Sequence, residues 1–212
     1  MNSRLMVRRY DRAAQGWTLR IGALGYDAAY REFAELAVGQ LPRPRSICDI
    51  GCGTGAFSAA VLGQVKGPLP ALTLVDPSGQ MLARASGGMA RHGISAQTRH
   101  TNLANTQGQW DWVLAAHVIE HCADPAAAFA DLIALTHPGG AVLLVISRPH
   151  WCQWLIWPLW RHRWFTPAQV LHWAMAAGLT HVLTHSFSAG SPSRTSLGYL
   201  FTHPKPPKDS SC

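Results

Sequence analysis

The chain has 212 residues, 48% of them hydrophobic and only 14% charged, with 18 Lys+Arg against 11 Asp+Glu for a net charge of +7. That is one ordinary domain with enough apolar material for a core, and it excludes a disordered chain. Nine residues are Trp, six of them between residues 151 and 173.

No apolar run reaches the roughly 18–20 residues of a membrane helix, and residues 1–17 have no apolar core that reads as a secretory signal. The cysteines, at 48, 52, 122, 152 and 212, are odd in number and make no CxxC pair, so reduced thiols in a cytoplasmic protein are expected. A basic balance raises nucleic acid or an anionic surface as partners, but the charges are scattered.

Residues 1–27 are polar and basic. A helical pattern covers 28–40, with Tyr30, Phe33, Leu36 and Ala37 on one face, and Pro42 and Pro44 end it. Ser46–Ile50 reads as a strand running into Gly51-Cys52-Gly53-Thr54-Gly55, followed by a helix over 56–65. A second strand, Ala71–Val75, ends at Asp76, and Pro77-Ser78 opens a helix to about residue 92. Strands follow near 94–99 and at Trp110–Ala116. Asp124-Pro125 starts a helix by the N-cap and first-turn proline rule, and it ends before the turn Pro138-Gly139-Gly140. Residues 141–147 are a continuous apolar run, as in a strand buried on both faces. Thr166-Pro167 caps a helix to Gly178, and 181–187 and Ser196–Thr202 read as two late strands. Repeated strand–helix units predict an α/β fold, a mostly parallel sheet with helices on both faces. The late strands predict an antiparallel addition at one edge.

The glycine turn between a strand and a helix suits close approach of a ligand to the backbone, with the helix N-terminus presenting unpaired N–H groups. Its spacing, GxGxG, is neither the dinucleotide fingerprint nor a Walker A. Asp76, closing the next strand, stands where a doubly wound sheet reads a ribose diol, although a capping role is open to it as well. Asp49 precedes the turn.

These motifs together resemble the class I S-adenosylmethionine (SAM)-dependent methyltransferases, of the small-molecule group called methyltransferase type 11. The resemblance runs from about residue 46 to 148, more weakly to 201. It is carried by Asp49 to Gly55, by Leu74-Val75-Asp76-Pro77-Ser78 with Met81-Leu82-Ala83, and by Trp110-Asp111-Trp112-Val113. His117-Val118-Ile119-Glu120-His121 with Ala123-Asp124-Pro125, and then Pro138-Gly139-Gly140, complete it. Five ordered motifs are far more specific than any one.

The resemblance implies a Rossmann-like fold with a seven-stranded, mostly parallel sheet and an antiparallel C-terminal edge strand. It implies one domain over 1–203, with N-terminal cap helices in 1–45, a SAM-binding core in 46–148, a Trp-rich insertion in 149–165 and a tail in 204–212. Gly51, Gly53 and Gly55 would pack on the amino-acid part of SAM and Asp49 would hold its ammonium. Asp76 would bind the ribose and Met81 flank the adenine. Asn102-Leu103 stands where the family has an acidic residue reading the adenine amine, and Ala116 and His117 would lie beneath the methionine part. S-adenosylhomocysteine (SAH) is the implied product, with no metal.

His117 and His121, just past a central strand, are the candidate bases. For His121 a packing role beneath the site stays open. The pair also has the i, i+4 spacing of metal ligands, without an evident third. Glu120 reads as a local hydrogen-bonding or surface residue. Trp151, Trp154 and Trp157, with Tyr10 from the N-terminal segment, are candidate acceptor contacts, to an aromatic group or an amine. The same tryptophans also suit a core-packing cover or peripheral membrane contact through 151–163. Tyr26 and Trp17 either close the site or pack.

The position after strand four reads Ala-Ala-His-Val rather than Asn/Asp-Pro-Pro-Phe/Tyr, which counts against DNA and amide methylation. The expected activity is methyl transfer to a small, apolar, aromatic or lipid-like acceptor, by O-, C- or N-methylation. SAM binding without transfer and an RNA-directed methyltransferase are the alternatives, and no specific nucleic acid is expected.

Overall fold

A computed structural model of the chain describes residues 22–151 and 163–206, together with Gly16 and Leu19. Within them, seven strands form one sheet: β1 (Ser46–Ile50), β2 (Ala71–Val75), β3 (Ala96–Arg99), β4 (Trp110–Ala116), β5 (Thr136–Ser147), β6 (Thr180–His185) and β7 (Ser196–Thr202). Their spatial order is β3-β2-β1-β4-β5-β7-β6. The first five are parallel, and β7 runs antiparallel to both neighbours, one place in from the edge that β6 holds. The chain winds outward from β1 to β3 and restarts at β4 on β1's other side, so the crevice between β1 and β4 is the switch point where such sheets take ligands.

The period-2 alternation of the strands builds two cores. Ile47, Leu72, Leu74, Trp112, Leu114, Leu143 and Val145 pack with α1 (Tyr26–Val38), α2 (Ala56–Leu62) and α3 (Gly79–Arg91). Cys48, Ile50, Val75, Val113, Leu144 and Ile146 pack on the other face with α4 (Pro125–Ala134) and α5 (Pro167–Ala176). A last short helix, α6 (Pro192–Thr195), precedes β7.

The helix starts follow capping chemistry. Asp124 Oδ1 accepts the N–H groups of Ala126 and Ala127 at α4, and Thr166 with Gln169 forms a reciprocal capping box at α5. Helix α1 lies across the sheet: Phe33 stacks on Phe57 of α2 and sits so close to Gly198 of β7 that a Cβ there would meet its ring at 2.7 Å. Its Glu32 accepts hydrogen bonds from Ser188 and faces His185 Nε2 at 2.8 Å, tying α1 to the β6 end of the sheet. This placement carries Tyr26, at the start of α1, over the end of β4.

β5 starts at Thr136, five residues before the apolar run. Pro138-Gly139-Gly140 bulges out of register with β4, yet Gly139 N–H donates to His203 and His203 N–H to Gly140. The chain beyond β7 thus keeps these turn residues within the strand.

Candidate active site

The turn after β1 is built by its glycines. Gly51, Gly53 and Gly55 all have positive φ, at 63°, 52° and 84°. At Gly51 the backbone also presses on the loop after β4, and a Cβ would stand 2.6 Å from Val118 Cγ2. Gly51→Ala is therefore expected to destabilise the fold by at least the roughly 1–3 kcal/mol of a forced left-handed residue, read as a lowered denaturation midpoint.

Asp76 fastens this turn to α3. One carboxylate oxygen accepts the Gly53 N–H at 2.9 Å, the other the Ser78 N–H at 2.8 Å, and the Ser78 hydroxyl caps α3 by accepting from Met81 N–H. The turn role open to Asp76 in the sequence is filled by these two hydrogen bonds. Asp49, at 1% exposure, takes a hydrogen bond of 2.5 Å from Ser58 of α2. Burial pushes its carboxyl up to about 7; the Ser58 bond works against this and the Asp76 charge with it. None of these neighbours is basic. Two buried carboxylates at a glycine turn suit a ligand that brings its own positive charge and a diol, and SAM, with its ammonium, sulfonium and ribose, is such a ligand.

Met81 is buried at the start of α3, and Ala116 is half-buried at the end of β4. Asn102 is exposed, and its side-chain oxygen accepts the Asn105 N–H at 3.1 Å, capping the 3-10 turn Leu103–Asn105. The oxygen expected to read an adenine amine thus serves its own loop, while Leu103 packs in the core on the α4 side.

His117 is the only non-glycine residue with positive φ among those described, at 58°. Its Nδ1 lies 3.0 Å from Glu120 Oε1 and 3.1 Å from Ser147 Oγ, and the Tyr26 ring meets it edge-on at 5.2 Å. Glu120 is 2% exposed, so it is a buried residue and not a surface one. Burial acts to raise its carboxyl, but the hydrogen bond from His117, the charge of that imidazole when protonated, and the Ser147 N–H at 2.6 Å outweigh this and hold it well below the ordinary 4.5. No local pattern announced this: Glu120 and Ser147 meet only because β4 and β5 pair, 27 positions apart. His121 is half-buried; burial lowers its imidazole, Glu120 opposes this, and His117 and Arg163 add to it. It is thereby biased toward the neutral form.

Trp151 is 67% exposed, its ring 5.7 Å from that of His150. Tyr10, Trp17, Trp154 and Trp157 lie outside the described residues, as does most of the 151–163 segment read for membrane contact. Among the described residues no group of three or more His, Cys, Asp or Glu is placed to hold a metal, and no helix is long and apolar enough to cross a membrane.

The geometry has counterparts in known proteins. The methyltransferase-domain family matches residues 24–184, from α1 to β6. A ubiquinone biosynthesis O-methyltransferase from Parvibaculum lavamentivorans is 36% identical over 101 residues, 45% of this chain and 38% of that protein. The chain spans 29% and 38% of the lengths of the curated relatives it matches. Among solved structures, the N-methyltransferase NodS from Bradyrhizobium japonicum with SAH superposes with a TM-score of 0.67 at 20% identity, covering 83% of this chain and 86% of that one. The magnesium protoporphyrin IX methyltransferase ChlM from Synechocystis, with bound SAM, gives 0.65 at 19% identity, covering 87% and 81%. With the family matched over most of its length and the glycine turn, Asp49 and Asp76 in place at the switch point, the chain belongs to the class I SAM-dependent methyltransferases.

Proposed function

We propose that this chain transfers the methyl group of SAM to a small, apolar or aromatic acceptor in the cytoplasm. The observation that carries it is the pair of buried carboxylates, Asp49 and Asp76, set on a left-handed glycine turn at the crevice between β1 and β4. When bound, SAM supplies a methyl carbon already activated for displacement by its sulfonium. The chain's own residues do the rest. Gly51 and Gly53 let the backbone lie against the amino-acid part, Asp49 takes the ammonium, and Asp76 takes the ribose hydroxyls. Met81 stands beside the adenine. The end of β4, with Ala116 and His117, lies beneath the reacting centre, and excluding water there favours the aligned nucleophile.

The acceptor class draws on two supports. One is the relatives, whose names give ubiquinone biosynthesis and magnesium protoporphyrin IX. The other is the tryptophan-rich stretch that opens at exposed Trp151 and Arg148, whose guanidinium is anchored on the carbonyls of Ser193 and Arg194. The test is radiolabelled methyl transfer from SAM into an extract of the source cells. Label in the solvent-extractable small-molecule fraction is expected. Label confined to RNA, or SAM binding with no transfer to any fraction, overturns the reading.

A further inference from the structure

The loop after β4 holds a strained residue in a fixed orientation, and its geometry bears on the kind of acceptor. A histidine at φ 58° is held in the left-handed region at a cost in backbone strain that Asn or Gly in its place largely avoids. Three contacts hold the imidazole there. Its Nδ1 faces Glu120 Oε1 at 3.0 Å and Ser147 Oγ at 3.1 Å, and the edge of Tyr26 closes one side. The Ser147 N–H, donating to the same Oε1 at 2.6 Å, pins the carboxylate in turn. An ionised carboxylate only accepts hydrogen bonds, so the proton in the His117–Glu120 contact sits on Nδ1. In its neutral form an imidazole so held carries its lone pair on Nε2, and Nε2 is buried with no hydrogen-bond partner among the described residues. The other carboxylate oxygen, Glu120 Oε2, is likewise buried without a partner among the described residues, so the pair keeps an unsatisfied polar atom at each end. The ring stands at the carboxyl end of β4, beside the glycine turn that Val118 touches.

We infer that Glu120 is a positioning residue that fixes His117 in the Nδ1–H tautomer, making Nε2 the base for an acceptor whose nucleophile carries a dissociable O–H or N–H proton. The inference rests on the methyltransferase reading and narrows its acceptor to protic nucleophiles, setting aside carbon and thioether acceptors. In the step, the Nε2 lone pair takes the acceptor's proton as the acceptor's electron pair forms the bond to the methyl carbon. The carbon–sulfur bond breaks with its pair going to sulfur. The resulting imidazolium, facing the Glu120 carboxylate, then passes its proton to water. Carboxylate, imidazole and nucleophile follow the logic by which an acid residue orients a catalytic histidine without itself being protonated.

The test is the tautomer of His117 in the cofactor-free, full-length protein, read from nitrogen–proton correlation spectra of 15N-labelled material. His117→Asn identifies the signal, since Asn tolerates a left-handed backbone. A pyrrole-type Nδ1 with a pyridine-type Nε2 is expected; Nε2–H, or averaging of both forms, overturns the assignment. Glu120→Gln is expected to turn the single tautomer into a mixture, and an unchanged tautomer in that variant removes Glu120 as the positioning residue. If the variant does not fold, the wild-type spectrum still decides the base. Calorimetry of the wild type with SAH separates the two levels. No SAH binding sinks the methyltransferase reading, whereas SAH binding with Nε2–H sinks the base alone.

Discussion

Replacing Asp76 with alanine is expected both to abolish SAH binding and to loosen the fold around the glycine turn. The carboxylate accepts one backbone N–H from each side, Gly53 at 2.9 Å and Ser78 at 2.8 Å. Hydrogen bonds to a charged group contribute about 1.5–3 kcal/mol each, so losing both costs about 3–6 kcal/mol. The turn and the start of α3 would then no longer share a fixed anchor. The binding loss is the larger consequence, because the same carboxylate is the proposed acceptor for the ribose hydroxyls. Denaturant unfolding reads the first effect and calorimetry with SAH the second. Asp76→Asn, keeping one acceptor oxygen, should fall between. Wild-type SAH affinity in Asp76→Ala would remove Asp76 from the cofactor site.

The second large effect concerns Asp49 and pH. Its folded-state value near 7 stands against an ordinary aspartate value of 3.8. Below pH 4 both folded and unfolded chains hold the proton and nothing is lost. Between pH 4 and 7 the unfolded chain has released it while the cofactor-free folded chain retains it, so stability falls as pH rises. Above pH 7 the full penalty applies, and three units correspond to about 4 kcal/mol at most. Asp49→Asn removes this titration. The stability of the variant relative to the wild type should therefore climb from pH 4 to pH 8, where the variant gains most. SAH binding should behave oppositely. In the proposed contact with the ammonium the wild type must ionise Asp49, so its affinity should rise toward pH 7 and binding below that should release a proton. Calorimetric heats that vary with buffer ionisation enthalpy would show that release. Heats independent of buffer at pH 6 would contradict it.

Much of this architecture was legible from residues alone, and for a physical reason. β1, β2, β4 and β7 fall where apolar runs meet turn residues, and α4 and α5 start at Asp124-Pro125 and Thr166-Pro167, whose caps are local chemistry. The exceptions depend on partners far away in sequence. Thr136 to Gly140 belongs to β5 through its pairing with Trp110 and His203, which Pro138-Gly139-Gly140 does not foretell. α2 stops at Leu62, earlier than its apolar pattern, with Gly63 at its cap. β6 is largely exposed and lacks the apolar run of a central strand, so its range was placed one to two residues late. Within the site, Gly51, Asp49 and Asp76 were readable as a motif. Glu120 was readable as a local hydrogen-bonding residue but not as a buried one, because its burial is created by β4 meeting β5, and a carboxylate beside two histidines carries no mark of that in the sequence. The Asn102 oxygen went to its own turn because an Asn three positions before a free N–H caps it at no entropic distance.

The place of β7 bears on how the chain is made. β5 is an apolar central strand, yet its partner on one side is the sheet's last strand in chain order, slotted between β5 and the earlier β6. Until residue 202 has left the ribosome, the backbone edge of β5 has no partner there and β6 has no sheet to join. Five strands can assemble as they emerge, but the sheet closes only once β7 has followed β6. During that interval an unpaired Val-Leu-Leu-Val-Ile edge is a template for pairing with another chain. Nascent chains stalled or cut before Ser196 should therefore aggregate or depend on chaperones far more than their completed core would suggest.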